Sequence, residues 1–332
     1  MCQSFIYAII LLTAKKSDQV STIRCPIPTV DPPTNSRLQE SAVAVTFVLK
    51  GKIVMYTYQC LESQSYAEIA DCLNLAFSDY ALPVQLSAEQ VEAFFASCGA
   101  DLRLSYGAFY DNRLIGFMVN ACSVYNGERA VFDVATGVVP EHRGKKVFTN
   151  LFSFAEGELQ KQGVEKYYLE VLQQNQKAIN AYQKQGFSVC RAFSVLKASH
   201  RTPDPDACSI AQVDLDAFDF EKARQCVCVP PSFENSTAVL MRNPAYYAVA
   251  YQEQENGIGA YCVFHKQRGQ LMQLSFADLA QLKEILQWLF SQYPEIVIKN
   301  IDKSYPQVIE LLLSLGAQEV TEQFEMVKIL SN

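Results

Sequence analysis

The chain has 332 residues, a formal net charge of −7 and 49% hydrophobic residues, with Phe and Tyr plentiful, so it is too long for one compact domain and comfortable for two. The acidic balance, with no long basic stripe, argues against nucleic acid as a partner. Three histidines and eleven scattered cysteines, the closest pair being Cys226 and Cys228, speak against a metal centre and for reduced thiols in a cytoplasmic protein.

In chain order, residues 5–12 are an apolar run too short to span a bilayer, with no preceding positive charge of the kind a signal peptide carries, so no membrane role is expected. Residues 25–41, rich in Pro, Thr and Ser, read as loop or disorder. Met55 opens a strand, MYTYQCLE, and residues 1–54 are expected to be a dispensable extension. A helix over 65–76 carries Ile69, Leu73 and Ala76 on one face. Pro83 then breaks the chain, and Ser87 caps a second helix with Val91, Phe94 and Phe95. Residues 105–109 and 113–119 read as strands joined by the Asp111-Asn112 turn.

The stretch VFDVATGVVPEHRGKKVF, residues 131–148, carries the strongest chemical signal. Val131, Val134, Val138 and Val139 are strand formers, and Pro140, with no N–H for a ladder, ends the strand. From about Lys146 a helix is expected, with Val147, Leu151, Ala155 and Leu159 on one face and Phe148 and Phe152 alongside, until Gly163 stops it. A helix N-terminus presents unpaired N–H groups and partial positive charge. Gly144 permits close backbone approach, and Arg143, Lys145 and Lys146 add cations, so the turn reads as a pyrophosphate cradle. The bland alternative is a solvated basic loop. A P-loop is excluded, because Gly137 and Gly144 are too far apart and Lys146 stands where a hydroxyl is needed; a G-x-G-x-x-G dinucleotide turn is also missing.

Downstream, YYLEVLQQNQKAINAYQKQGF (167–187) gives a strand over 167–172, then a helix capped by Asn175 with Ala178, Ile179 and Tyr182 on one face. Gly186 stands at a left-handed C-cap position, from which Phe187 folds back. Strand, helix, strand, helix in this order implies parallel pairing by a right-handed crossover. Together the two segments resemble the GNAT superfamily of acyl-CoA-dependent N-acyltransferases. That family has a strand ending x-V-x-P, then Q/R-x-x-G-x-G/A, and downstream N-x-x-A-x-x-x-Y-x-x-x-G-F. This chain has TGVVP at 136–140, EHRGKK at 141–146, and Asn175, Ala178, Tyr182, Gly186 and Phe187. Glu141 replaces Gln or Arg, and Lys146 replaces the second small residue. The resemblance spans about 56–197.

The resemblance implies a mixed α/β fold and direct attack of an amine on the thioester of acetyl-CoA, without a metal. It implies that Thr136, Gly137, Val138, His142, Arg143, Gly144, Lys145, Lys146, Val147 and Asn175 bind the co-substrate, with the Val138 N–H facing the developing oxyanion. Tyr182 matches the general acid, the competing reading being a core aromatic. Glu170, twelve residues earlier, matches a strand carboxylate that removes the amine's proton; a structural carboxylate, or Asp133 as a rival base, are the alternatives. Alternation places Tyr168, Glu170 and Leu172 on one sheet face, opposite Leu169 and Val171. The segment that shapes the acceptor site in this family holds Phe77, Asp79, Tyr80 and Pro83.

Residues 200–206, HRTPDPD, read as a linker. Beyond it the architecture repeats in degraded form. Strands are expected at 246–252, 259–264, 271–274, 296–299 and 324–329, and helices along 279–289 and 308–315. Aligning Gly316 on Gly186 places Leu312 at the position of Tyr182, Asn300 at that of Glu170 and Tyr305 at that of Asn175. Ser275 and Asp278 occupy the place of the cationic turn, where an anion would be repelled. The expected architecture is two GNAT-like domains in tandem, 55–199 catalytic and 207–332 degenerate, the latter covering the acceptor side or mediating association; a homo-oligomer is compatible with this. The expected function is N-acetyl transfer to a primary amine of a small molecule or peptide. The alternative is a non-catalytic acyl-CoA-binding or regulatory protein, which would need neither Tyr182 nor Glu170.

Overall fold

The computed structural model describes residues 43–49, 52–79, 85–199, 210–255 and 257–330. The first half runs β1 (Val43–Leu49), β2 (Lys52–Cys60), α1 (Tyr66–Ala76), α2 (Ala88–Cys98), β3 (Tyr106–Tyr110), β4 (Arg113–Tyr125), β5 (Glu128–Val138), α3 (Val147–Lys161), β6 (Lys166–Leu172), α4 (Gln176–Lys184) and β7 (Ser188–Ser199). The second half runs β8 (Ala211–Asp214), β9 (Val227–Cys228), α5 (Thr237–Leu240), β10 (Tyr247–Gln254), β11 (Gly257–His265), β12 (Leu271–Phe276), α6 (Leu279–Gln292), β13 (Glu295–Asp302), α7 (Pro306–Ser314) and β14 (Gln318–Ile329).

Local chemistry sets the helix ends. Ser65 and Ser87 close capping boxes with Glu68 and Gln90. The Asn175 side chain accepts from the Ala178 N–H at 3.2 Å. Gly163 and Gly186 take φ of +71° and +91° past the ends of α3 and α4, at the expected stop of α3 and the expected left-handed position after α4. The α3 face of Val147, Leu151, Phe152, Ala155 and Leu159 is buried against the sheet. Strand β2 begins three residues before Met55, and β1 pairs with it antiparallel, so part of the segment expected to be dispensable is strand. The rest of that segment (1–42), Tyr80, Pro83 and the linker 200–206 lie outside the described residues.

The strands join one mixed sheet in the order β1-β2-β3-β4-β5-β6-β14-β7-β13-β12-β11-β10-β8, with β9 pairing β12 off this path. Elements α4 and β7 recur as α7 and β14 at a constant offset of 130 residues (176 to 306, 188 to 318). The two halves exchange their last strands. Strand β14 lies between β6 and β7, and β7 in turn pairs with β13. One hydrophobic core packs around the first half's sheet and another around α6, α7 and the second half's strands.

At the seam the buried groups are polar. Arg191 on β7 grips Glu325 on β14 with two hydrogen bonds of 2.8 Å, donates to the Tyr125 hydroxyl at 2.5 Å, and lies 3.6 Å from Asp302. An ion pair so enclosed adds little net stability but is costly to break on one side only. It joins the two exchanged strands, β7 and β14.

Candidate active site

Strands β5 and β6 are parallel and pair only from Ala130 to Phe132 against Lys166 to Tyr168. Beyond that vertex they diverge, and the β5 edge is open. Val139 N–H donates to the Ile115 C=O at 2.9 Å on the β4 side. Alternation along the strand therefore turns the Val138 N–H toward the opening. Past Pro140 the chain passes through a short 3₁₀ turn into α3, and a cavity of about 320 Å³ is lined by Val138, His142, Arg143, Gly144, Lys146, Val147, Phe148 and Thr149.

The cavity sits at the N-terminus of α3. The first intrahelical bond runs from the Asn150 N–H to the Lys146 C=O at 3.0 Å. The N–H groups of Val147, Phe148 and Thr149 therefore have no partner within the helix. Gly144 has φ of +71°, and a Cβ built there would meet nothing within 4 Å, so the approach to the backbone is open. Lys145 and Lys146 flank it and make no ion pair among the described residues. This surface fits a pyrophosphate.

Two of the expected anion contacts are engaged elsewhere. Arg143 donates to the Val138 C=O (2.9 Å), to the Ala76 C=O (2.6 Å) and to both Asp79 oxygens (2.5 and 3.1 Å). It braces the turn against the end of α1, and its guanidinium holds the Asp79 carboxyl below its ordinary range. The His142 Nδ1 sits 3.0 Å from the Tyr56 hydroxyl, with its ring against Tyr56 and Tyr110; burial, then Lys145, pushes its pKa down. Phe77, a candidate acceptor contact, is fully buried with its ring edge on Phe117. Asn175 is engaged as the α4 cap.

Lys146 has φ of +61° and no side-chain cap bond. L-residues pay about 1–2 kcal/mol in that region. The backbone thus explains why a small residue suits this position. Lys146→Gly is expected to hold or raise stability by up to about 1 kcal/mol, and Lys146→Val to lower it by about 1 kcal/mol or more. Urea unfolding of the two variants beside the parent checks the ordering.

On the α3/α4 face of the sheet, the Tyr182 hydroxyl donates to Asp133 Oδ2 at 2.8 Å, and the Thr136 hydroxyl donates to Asp133 Oδ1 at 2.9 Å. Phe148 and Phe187 meet the Tyr182 ring edge-on at 5.6 and 5.5 Å. Burial raises the Asp133 carboxyl above its ordinary range, against these two hydrogen bonds. Sequence alternation alone does not reveal this pairing, because Asp133 and Tyr182 are 49 residues apart.

Glu170 faces the other side. Its neighbour Tyr168 packs against Tyr125 and Phe233, while Tyr167, one residue back, stacks on Phe152 of α3. Glu170 is fully buried beside groups of the second half: Glu325 is its cross-strand neighbour, and Glu234, Lys299 and Asn300 surround it. Burial, then Glu234, pushes its carboxyl up to about 7 against the pull of Lys299, whose ammonium lies 3.1 Å from Glu234. Glu170 and Tyr182 thus approach the opening between β5 and β6 from opposite faces.

Among the described residues the second half shows no equivalent opening. Strands β12 and β13 pair only at Leu271 and Ile298, but β9 fills the gap by pairing with Ser275 and Phe276. Helix α6 opens on Asp278, whose carboxylate accepts from the Ala280 N–H at 2.8 Å. Phe233, past β9, stacks on Phe132 at 5.2 Å and 10°, covering the vertex on the Glu170 side.

Residues 69–187 match the family described as "Acetyltransferase (GNAT) family". Over 97 residues the chain is 33% identical to the streptothricin acetyltransferase of Streptomyces lavendulae, a stretch that is 29% of this chain and 50% of that protein; the chain spans half the length of this curated relative. Among solved structures, a GCN5-related N-acetyltransferase from Sphaerobacter thermophilus superposes with a TM-score of 0.60 at 15% identity, covering 83% of this chain and 96% of that one. A tandem GNAT protein from the clavulanic acid biosynthesis pathway superposes with a TM-score of 0.53 at 11% identity, covering 88% of this chain and 99% of that one. Residues 69–187 are thus similar to the acetyltransferase (GNAT) family, and the chain has a mixed α/β fold that it shares with a tandem GNAT protein.

Proposed function

We propose that this protein transfers the acetyl group of acetyl-CoA to a primary amine, with the first half as the catalytic domain and the second as a non-catalytic cover. The observation that carries this reading is the open β5–β6 edge, where a main-chain anion cradle, a buried tyrosine and a buried carboxylate converge from three sides. The N–H groups at the start of α3, with Lys145 and Lys146, hold the pyrophosphate. The Val138 N–H stabilises the oxyanion. Glu170, poised near neutrality, takes the proton of the attacking amine. As the C–N bond forms, the C–S bond breaks with its electron pair going to sulfur, and the Tyr182 hydroxyl hydrogen passes to sulfur. The phenol then regains a proton from solvent.

The acceptor amine is placed on the Glu170 face, where Glu170 is the proton acceptor; Glu234 and Glu325 on that face are already paired with Lys299 and Arg191. Streptothricin, named in the curated relative, and short linear diamines are the first acceptors to try. Thiol release from acetyl-CoA together with an acetylated amine in the mass spectrum is expected. Stoichiometric acetyl-CoA binding without release with any amine of a broad panel would favour the retired, binding-only alternative.

A further inference from the structure

We propose that Asp133 is a positioning residue that sets which way the Tyr182 hydroxyl hydrogen points. This role rests on Tyr182 being the acid. In the structure the phenol donates to Asp133 at 2.8 Å, so its one hydrogen is directed into the protein, away from the opening. A hydroxyl with its hydrogen so engaged has none for a departing thiolate. If Asp133 carries a proton, the bond reverses: the acid O–H donates to the phenol oxygen, and the phenol hydrogen is released toward the opening. The same reversal matters after transfer, when the phenolate stands beside Asp133. Two buried anions 2.8 Å apart repel, whereas a carboxylic acid stabilises the phenolate by donating to it.

The surroundings favour the protonated form. Asp133 is fully buried, and burial raises its pKa. Among the described residues no charged side chain is bonded to it. From β5, Thr136 donates to its other oxygen at 2.9 Å, and from α4 comes Tyr182. From β4 the cross-strand neighbour is Asn120, whose Oδ1 is taken by the Tyr167 hydroxyl of β6 at 2.5 Å and whose Nδ2 donates to the Leu104 C=O at 2.6 Å. Nearby α3 offers the apolar rings of Phe148 and Phe152. The titratable groups on this face are thus Asp133, two phenols and, over the Phe152 ring, the Lys328 ammonium paired with Glu156; among the described residues no ammonium or guanidinium bonds to the Asp133 carboxylate. Active enzyme on this account holds Asp133 protonated and Glu170 ionised, which gives a bell-shaped rate profile.

The test places a fluorotyrosine at position 182 of the full chain and follows its ¹⁹F resonance from pH 4.5 to 8. The expected result is one inflection above the ordinary carboxylate range, which disappears in Asp133→Asn. Thr136→Val, which removes a hydrogen bond that favours the carboxylate, should move the inflection to higher pH. No inflection in the parent chain, or an unchanged one in Asp133→Asn, overturns the proposal without needing turnover. Where an acceptor supports turnover, Asp133→Asn should also flatten the alkaline limb of the rate profile. Full turnover by Tyr182→Phe would instead sink the acid reading and leave the titration standing, so the two failures are separable.

Discussion

Tyr182→Phe is expected to cut acetyl transfer at least tenfold while leaving acetyl-CoA affinity unchanged. The ring contacts with Phe148 and Phe187 survive the change, so the cavity wall keeps its shape. What is lost is one O–H group. General acid catalysis by a positioned side chain contributes roughly 10²–10⁴-fold. The structural cost is small by comparison, because Asp133 keeps the Thr136 hydrogen bond; one such bond is worth about 1 kcal/mol. Calorimetry on the variant isolates binding, and thiol release reports turnover. Unchanged turnover would remove Tyr182 from the chemistry and return it to the role of a core aromatic.

Glu170→Gln is expected to lower turnover at least tenfold above neutral pH and to erase the rising limb of the rate profile. A base must be ionised to act, and the carboxyl is pushed up to about 7, so the parent rate should climb through that pH. Stability should move the other way. A buried carboxyl whose pKa is higher folded than unfolded binds its proton more tightly in the native state. Stability is therefore greatest below the ordinary carboxylate range and falls as the pH rises toward 7. Gln, which cannot ionise, should remove this slope as well as the rate limb. A Gln variant that retains the rising limb would assign it to another group.

Much of this site was legible in the sequence because its parts are local. The turn from Pro140 to Val147 needs a proline that ends a strand, a glycine at positive φ and a run of helix-periodic apolar residues, all within about twenty positions. Asn175, Gly186 and Phe187 likewise act within one helix. The offset of 130 residues was readable from a single glycine, Gly316, because α7 and β14 keep the lengths of α4 and β7. The strand exchange was not readable. A β7 strand beside β14 and one beside β6 show the same alternation, since pairing partners leave no mark on a strand's own period. Its consequence, that Glu170 is enclosed by Glu234, Lys299 and Asn300 of the other half, was hidden for the same reason. Arg143 has a partner that the sequence hides in a different way. Its charge suggested an anion contact, but Asp79, 64 residues earlier, takes it. The odd residue at position 146 became intelligible only with its φ of +61°.

The burial pattern also bears on what the second half contributes. Phe233 covers the vertex between β5 and β6, and Glu325 is a direct neighbour of Glu170 across paired strands. A first half expressed without these groups would expose Phe132, Tyr168 and a carboxylate whose environment depends on them. The chain therefore has reason to keep a half whose own slot is filled by β9.

The measurement that tests the central claim most directly is calorimetric titration of acetyl-CoA into the parent chain and into Gly144→Asp. At Gly144 the backbone adopts a φ of +71° beside an open cavity, and an aspartate there would add strain and place a negative charge against the pyrophosphate. The account predicts one site per chain in the parent and its loss in the variant, with both proteins folded by circular dichroism. Equal binding by the two would contradict the cradle, and no binding by the parent would contradict the use of acetyl-CoA itself.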